Sequence, residues 1–372
     1  MAIKAWVWTV LLLWAWPLQA DWLSDQRQAL QKAAVQMELL ADMGHWPYLE
    51  GATLKPGQQS DLVPAIRERL WLTGDLSDLA EPGDIYDEQL VAAVKAFQGR
   101  HGLKEDGIVG QATRQALNVT PAQRLLQIQG TLQRMAQLQP APEQLVVNIP
   151  AFSLTWFDGD QVRLHSKIVV GRPSRPTPQM ETQVTAIELN PYWNVPYSIF
   201  RRDYLPKVRR LGVAELVEHQ IDIVEGYGNQ TRVVPMPDEL PSPWPPHWRL
   251  RQRAGDFNAL GRLKFVLPNN DAIYLHHTNQ PSLFRQARRA YSSGCIRVEE
   301  AYSLAAQLLF DHPDWRDRVA SGQRVKIPLT VPLPIALVYW TAWLDDEGRL
   351  QFRDDLYGLD LGANSQYALH KD

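Results

Sequence analysis

Cysteine is nearly absent from this chain: Cys295 is the only one in 372 residues. No internal disulfide can form, and no lipid-accepting cysteine follows the N-terminal segment. Charge of one sign is also scarce. A formal net charge of -3 with a pI near 6.3 leaves no basic face of the kind a general nucleic-acid binder needs. Long apolar runs are missing after Trp16, so no later segment reaches the ~20 apolar residues that cross a bilayer. Internal repeats and low-complexity tracts are missing too, and no His or Cys spacing matches a zinc site. What remains, 45% hydrophobic and 21% charged, is ordinary globular composition, and the length suggests two or three compact units.

The chain opens with Lys4, an apolar run from Ala5 to Trp16, and Pro17 to Ala20 before Asp21. One positive charge, a short apolar stretch and a small residue at the cut define an exported leader at 1–20, with an uncleaved anchor as the alternative. Four of the 14 tryptophans fall in this leader; the other ten are read as core more readily than as sugar-stacking platforms. An exported protein with one unpaired thiol raises the question of what that thiol does.

Residues 21–57 start with a helical pattern, Leu30, Val35, Leu39 and Leu40, that breaks at Gly44, Pro47 and the Lys55-Pro56-Gly57 turn. Residues 58–118 read as a small helical unit. Its first helix carries Ile66 and Leu70 on one face, its second, Asp87 to Arg100, carries Leu90, Val94 and Phe97, and a short third runs from Gln111 to Leu117. Asp87 is the expected N-cap of the second, because its carboxylate can accept from first-turn amides. Residues 119–142 are helical again, with Leu125, Ile128, Leu132 and Met135 on one side. From Leu145 the pattern turns to β, with Asp158-Gly159-Asp160 as a hairpin between two runs. Six prolines between 226 and 248 mark a semi-rigid surface excursion that is a candidate lid.

Two stretches carry chemistry: Tyr274-Leu275-His276-His277-Thr278, and Ser292-Ser293-Gly294-Cys295-Ile296-Arg297-Val298. A thiol is a weak nucleophile at its usual pKa of about 8.5, and an imidazole that takes its proton activates it for acyl transfer. Two histidines at the end of a β run can deliver one if the chain folds back. An amphipathic pattern follows Cys295 (Ala301, Leu304, Ala305, Leu308, Leu309), which places the thiol at or just before a helix start whose dipole favours thiolate. Gly294 lets the backbone approach a substrate closely. The plain alternative is a buried cysteine that acts as a small hydrophobe.

Residues 93–98, His101 to Leu103, Asp106 to Gly110, Thr113 and Asn118 resemble the three-helix type of peptidoglycan-binding domain. The segment from His276 to Arg297 resembles the signature of the L,D-transpeptidases, a histidine ahead of Ser-x-Gly-Cys-x-Arg. The wider similarity is to that family's large periplasmic branch, through residues 44–47, 54–57, 117–120, 147–150, 169–173, 190–196, 258–265, 341–343 and 352–355.

The resemblance implies an α+β protein. A helical scaffold (21–57 and 119–142) carries the peptidoglycan-binding domain (58–118), ahead of a mostly β catalytic domain with a flanking helix (143–330) and a C-terminal extension (331–372). It implies Cys295 as nucleophile and His276 as general base, with the His277 carbonyl orienting the base. The Gly294 and Cys295 amides would supply the oxyanion hole, and Arg297, Ser293, His277, Tyr274 and Trp193 would meet substrate; for Arg297 an ion pair that only braces the loop is the alternative. The reaction implied is a thioester route that releases the terminal D-alanine of a tetrapeptide stem and makes 3-3 crosslinks. Hydrolysis by the same thiol, as a carboxypeptidase or endopeptidase, is the alternative. Partners implied are stem peptides, glycan strands and carbapenem-type β-lactams, in the periplasm, with no metal, no organic cofactor and no nucleic acid. A non-catalytic wall-binding scaffold is the remaining class, and the joint presence of His276, Ser292, Gly294, Cys295 and Arg297 argues against it.

Overall fold

The computed structural model describes residues 22–79 and 83–360, so the expected leader at 1–20 lies outside the described residues. Among the described residues no helix is long and apolar enough to cross a membrane. Five helices come first: α1 (Trp22–Asp42), α2 (Val63–Leu72), α3 (Glu88–Arg100), α4 (Gln111–Asn118) and α5 (Pro121–Met135). Helices α2 to α4 close around their own core of Ile66, Leu70, Leu90, Val94, Phe97 and Leu117. Asp87 caps α3 as its sequence position suggests, its Oδ1 accepting from the Leu90 amide at 2.9 Å. Helix α5 starts on a capping box between Thr120 and Gln123, with Pro121 in the first turn, where its missing N–H is not needed. It pairs with α1 over Leu30, Met37, Ile128 and Met135.

The strands of the principal sheet are β1 (Glu143–Asn148), β2 (Ser153–Asp158), β3 (Gln161–Gly171) and β4 (Met180–Leu189) before a long insert. The insert consists of β5 (Trp193–Asn194), α6 (Tyr197–Ile199), a π turn (Phe200–Tyr204), α7 (Leu205–Leu211), α8 (Ala214–Glu218), β6 (Ile221–Glu225), β7 (Arg232–Val234) and β8 (Trp248–Gln252). After it come β9 (Leu263–Val266), β10 (Leu275–His276), β11 (Ala290–Ser292), β12 (Ile296–Val298), α9 (Ala301–Leu308), α10 (Trp315–Ala320), β13 (Val325–Val338), β14 (Ala342–Leu344) and β15 (Leu350–Phe352).

The principal sheet runs β11-β3-β12-β10-β9-β4-β13-β1-β2, and β2 pairs back onto β3, so the sheet closes on itself. Strand β3 allows this because it changes neighbour along its length. Gln161 to Lys167 pair with β2, Ile168 and Val169 with β12, and Val170 and Gly171 with β11. The interior is apolar and includes Leu145, Val147, Ile168, Ile187, Phe265, Leu275, Ile296 and Val298, with Leu304 and Ala305 of α9 packed against it. This is the α+β arrangement expected: helical parts first, then a mostly β unit with a flanking helix.

One expectation is corrected and another gains structural detail. The boundary placed at 330 falls inside β13, which pairs with β4 and β1 as far as Leu337 and Val338, so the extension begins as a core strand of the main sheet. Beyond it, Ala342 and Phe352 of the β14–β15 hairpin join the α1–α5 core. The proline-rich stretch 226–248 contributes β7 and the first residue of β8 to a four-stranded sheet, β5-β8-β6-β7. Its Met236, Leu240 and Trp244 lean on the insert's core of Val195, Phe200, Leu216, Ile223 and Leu250. Its β7 and those three side chains are held by the insert itself.

Candidate active site

Strand alternation builds the site. β10 and β12 are parallel neighbours, Leu275 opposite Ile296 and His276 opposite Arg297, and β9 flanks β10 with Phe265 opposite Leu275 and Lys264 opposite His276. Leu275, Ile296 and Phe265 are fully buried in the core. The period of two then sends Tyr274, His276, Lys264, Cys295 and Arg297 to the other face. Contacts agree with that placement. The Lys264 Nζ lies 4.7 Å from the Tyr274 ring centre, and the Tyr274 and His276 rings are 5.8 Å apart.

Cys295 sits in the turn between β11 and β12, not at a helix start. Ile296 and Val298 alternate into the core as strand residues, and α9 begins only at Ala301. A helix dipole fades within its first turn, so it does not favour a thiolate here. Gly294 adopts φ 121°, a backbone region that side-chain-bearing residues avoid. The Ser292 hydroxyl closes the turn, donating to the Cys295 carbonyl at 2.6 Å and accepting from the Gly294 amide at 3.1 Å. Of the two amides expected in the oxyanion hole, Gly294 is therefore engaged. The Cys295 amide has no acceptor among the described residues.

The thiol is half-buried and free. It donates to the carbonyl of Ala272 at 3.6 Å, and Tyr274 lies beside the sulfur. Burial raises its pKa, against the pull of Tyr274, Lys264 and Arg297. His276 is 4% exposed, and burial with the neighbouring Arg297 lowers its pKa to about 3, so the imidazole is neutral. Its Nδ1 bonds the His277 carbonyl, which leaves Nε2 as the basic nitrogen. The hydrogen bond expected between this imidazole and the thiol is not formed among the described residues, where the thiol instead faces the Ala272 carbonyl. Free enzymes often hold such pairs loosely until substrate arrives.

The other expected residues divide. The His277 ring points to the opposite face, edge-on to Tyr302 with ring centres 5.2 Å apart and against Gly261, where a Cβ would collide with it. As a substrate contact its imidazole is corrected; only its carbonyl serves the site. Arg297 donates to the Gln280 side chain at 2.8 Å, its Nε is buried without a partner, and no carboxylate pairs with it among the described residues. An ion pair that merely braces the loop is thus not what holds it. The Ser293 hydroxyl accepts from Arg175 at 2.9 Å, while the same guanidinium grips Asp203 of the insert at 2.6 and 2.8 Å. Trp193 and the Cys295 sulfur both neighbour the Tyr274 hydroxyl. Arg175, Asp203, Ala272, Gln280, Thr177 and Tyr357 were missed from sequence; only Thr177, set between Pro176 and Pro178, carried any local signal of a fixed turn.

Glu215, Glu218 and His219 of the insert stand close enough to share a cation, but Glu215 is already paired with Lys207 and His219.

The family model described as "L,D-transpeptidase catalytic domain" matches residues 142–327, half of the chain. A second, described as "Putative peptidoglycan binding domain", matches residues 59–117. A Haemophilus influenzae protein described as "Putative L,D-transpeptidase" is 35% identical over 239 residues, 62% of this chain and 47% of that protein. The chain thus spans about half the length of this curated relative. Among solved structures, an L,D-transpeptidase from Stackebrandtia nassauensis aligns over 77% of this chain and 94% of its own, at 13% identity and a TM-score of 0.28. One from Mycobacterium smegmatis aligns over 53% and 59%, at 16% identity and a TM-score of 0.26.

Proposed function

The chain belongs to the L,D-transpeptidase family, and from that premise we propose that it joins peptidoglycan stem peptides in 3-3 linkage through a thioester on Cys295. The observation that supports this reading is a free, half-buried thiol and a neutral, deeply buried imidazole on one face of two parallel strands. Cys295 attacks the carbonyl of the third stem residue, and its proton passes to His276 Nε2. The C–N bond to the terminal D-alanine breaks, and the proton leaves on that amine. The side-chain amine of a second stem then attacks the thioester, gives up its proton through the same imidazole and releases the thiol. The helical unit at 58–118 holds glycan strands, and the leader at 1–20 delivers the protein to the periplasm. A carbapenem acylates the same sulfur, its ring C–N bond opening in place of the D-alanine bond.

Incubation with disaccharide-tetrapeptide, resolved by mass, tests the reading. Dimers that have lost one D-alanine support crosslinking. Tripeptide alone would reassign the protein as a hydrolase, and unchanged substrate would end the proposal.

Arg297, cationic and without an acidic partner among the described residues, is the proposed clamp on a donor carboxylate. Removing a hydrogen bond to a charged group costs about 1.5–3 kcal/mol, so Arg297→Gln should raise KM for the tetrapeptide about 10- to 150-fold. Steady-state kinetics on a donor with amidated carboxylates supplies the check, since wild type and variant should there converge. Equal KM values on the ordinary donor would remove Arg297 from this role.

A further inference from the structure

The amide of Cys295 has no acceptor among the described residues, and its direction is set from the other side of its own peptide plane. In a trans peptide the carbonyl and the N–H point opposite ways, so whatever holds the Gly294 oxygen aims the Cys295 N–H. That oxygen accepts from the buried Thr177 hydroxyl at 2.7 Å. Thr177 lies in a tight turn after β3: its Oγ1 accepts from the Gly171 amide at 2.9 Å, and a Cβ at Gly171 would collide with the Arg175 carbonyl.

This turn is fastened by a residue far along the chain. The Tyr357 hydroxyl accepts from the Thr177 amide at 3.1 Å and donates to the Gly171 carbonyl at 2.7 Å, so one oxygen ties both ends of the turn. Tyr357 is itself fixed. Its amide donates to the Tyr339 hydroxyl at 2.7 Å, that hydroxyl donates to Asp355 at 2.6 Å, and the two rings stack with centres 5.5 Å apart. Tyr339 is fully buried, so the anchor is rigid. All three lie beyond residue 327, where the match to the catalytic-domain model stops.

We propose that Tyr357 is a positioning residue for acyl transfer: acting through Thr177, it fixes the Gly294–Cys295 peptide plane that presents the oxyanion-holding amide. The inference rests on the acyl-transfer reading above. A negative oxygen forms when the sulfur adds to a carbonyl, and a donor held in place before that moment stabilises it without reorganisation. Substitution at an alkyl carbon generates no such oxygen. The two reactions of one sulfur therefore separate the aim of the amide from the reactivity of the thiol.

The experiment compares carbapenem acylation, followed by intact mass, with iodoacetamide alkylation of Cys295, for wild type, Tyr357→Phe, Thr177→Val and Thr177→Ser. Thermal unfolding of each variant reports folding. Complete loss of an oxyanion donor slows reaction about 10²- to 10³-fold and small misplacement less, so Tyr357→Phe should slow acylation about tenfold. Its alkylation rate should stay within about twofold of wild type, and on tetrapeptide kcat should fall with KM unchanged. Thr177→Val should fall at least as far, and Thr177→Ser, which keeps the hydroxyl, should recover most of the rate. Acylation at the wild-type rate in Tyr357→Phe would overturn the inference. So would a parallel fall of acylation, alkylation and unfolding temperature, which marks a merely structural tyrosine. Wild-type protein that alkylates but does not acylate would instead overturn the acyl-transfer reading, and the role of Tyr357 with it.

Discussion

Cys295→Ala is expected to abolish crosslinking, with turnover down by at least ~10⁴-fold, the scale of nucleophile removal in enzymes of this mechanistic type. The carbapenem adduct should vanish with it. The fold should not suffer: the sulfur is half-buried and its neighbours, the Ala272 carbonyl and Tyr274, keep their own strands and turns. A stability change within ~1 kcal/mol is expected, readable by urea denaturation. Cys295→Ser sharpens the point. Its hydroxyl fits the same turn, but an alcohol is a much weaker acid than a thiol, and the base beside it has a pKa of about 3. An imidazole that poor in basicity can help a thiol and cannot ionise an alcohol to any useful extent. The serine variant should therefore be as inactive as the alanine one. Dimer formation by Cys295→Ser above ~1% of wild type would show that the imidazole is far more basic than its buried setting dictates.

What could be read from the sequence follows how local the determining contacts are. Helices α2 and α3 were legible because apolar spacing and the Asp87 cap lie within a few residues of the helices they define. Cys295 and His276 stood out as candidates because the two stretches that hold them are short and carry unusual residue types. The strand at 296–298 was misread as the approach to a helix. Ile296 and Val298 give only one period of alternation, and their strand exists because β10 and β3, distant in sequence, flank them. The insert hid for the same reason. Trp193–Asn194 is a two-residue strand whose partner is β8, with helical segments and two further strands between, and no window along the chain contains both. The Tyr357 anchor left no local trace at all, because its hydrogen bonds reach 180 residues back to Thr177 and 186 to Gly171.

Replacing His276 by alanine should slow crosslinking at pH 7 by about 10²- to 10⁴-fold, the usual weight of a general base. Its form at rest decides the pH behaviour. Burial raises the thiol and depresses the imidazole, so the resting pair is neutral thiol and neutral imidazole rather than thiolate and imidazolium. Alkylation of the wild-type thiol should then climb with pH through the ordinary cysteine range, with no plateau near pH 6 to 7. In His276→Ala hydroxide must take the proton, so the deficit in crosslinking should shrink as pH rises. Stability carries its own signature at acid pH. The folded imidazole titrates near 3 and the unfolded one near its ordinary value of about 6.5, so between them the unfolded chain binds the extra proton. Stability from this residue is complete above the unfolded value and declines as pH falls toward the folded one, by about 1.4 kcal/mol per pH unit. His276→Gln should accordingly flatten the wild-type loss of stability between about pH 6 and 4, measured by denaturant titration. His277→Ala offers the contrast: its ring is wedged between Tyr302 and Gly261 on the far face, so it should lower stability while sparing kcat. If His277→Ala loses the reaction and His276→Ala keeps it, the assignment of the base is reversed; an alkylation plateau near neutrality would mean the proton has already crossed to the imidazole.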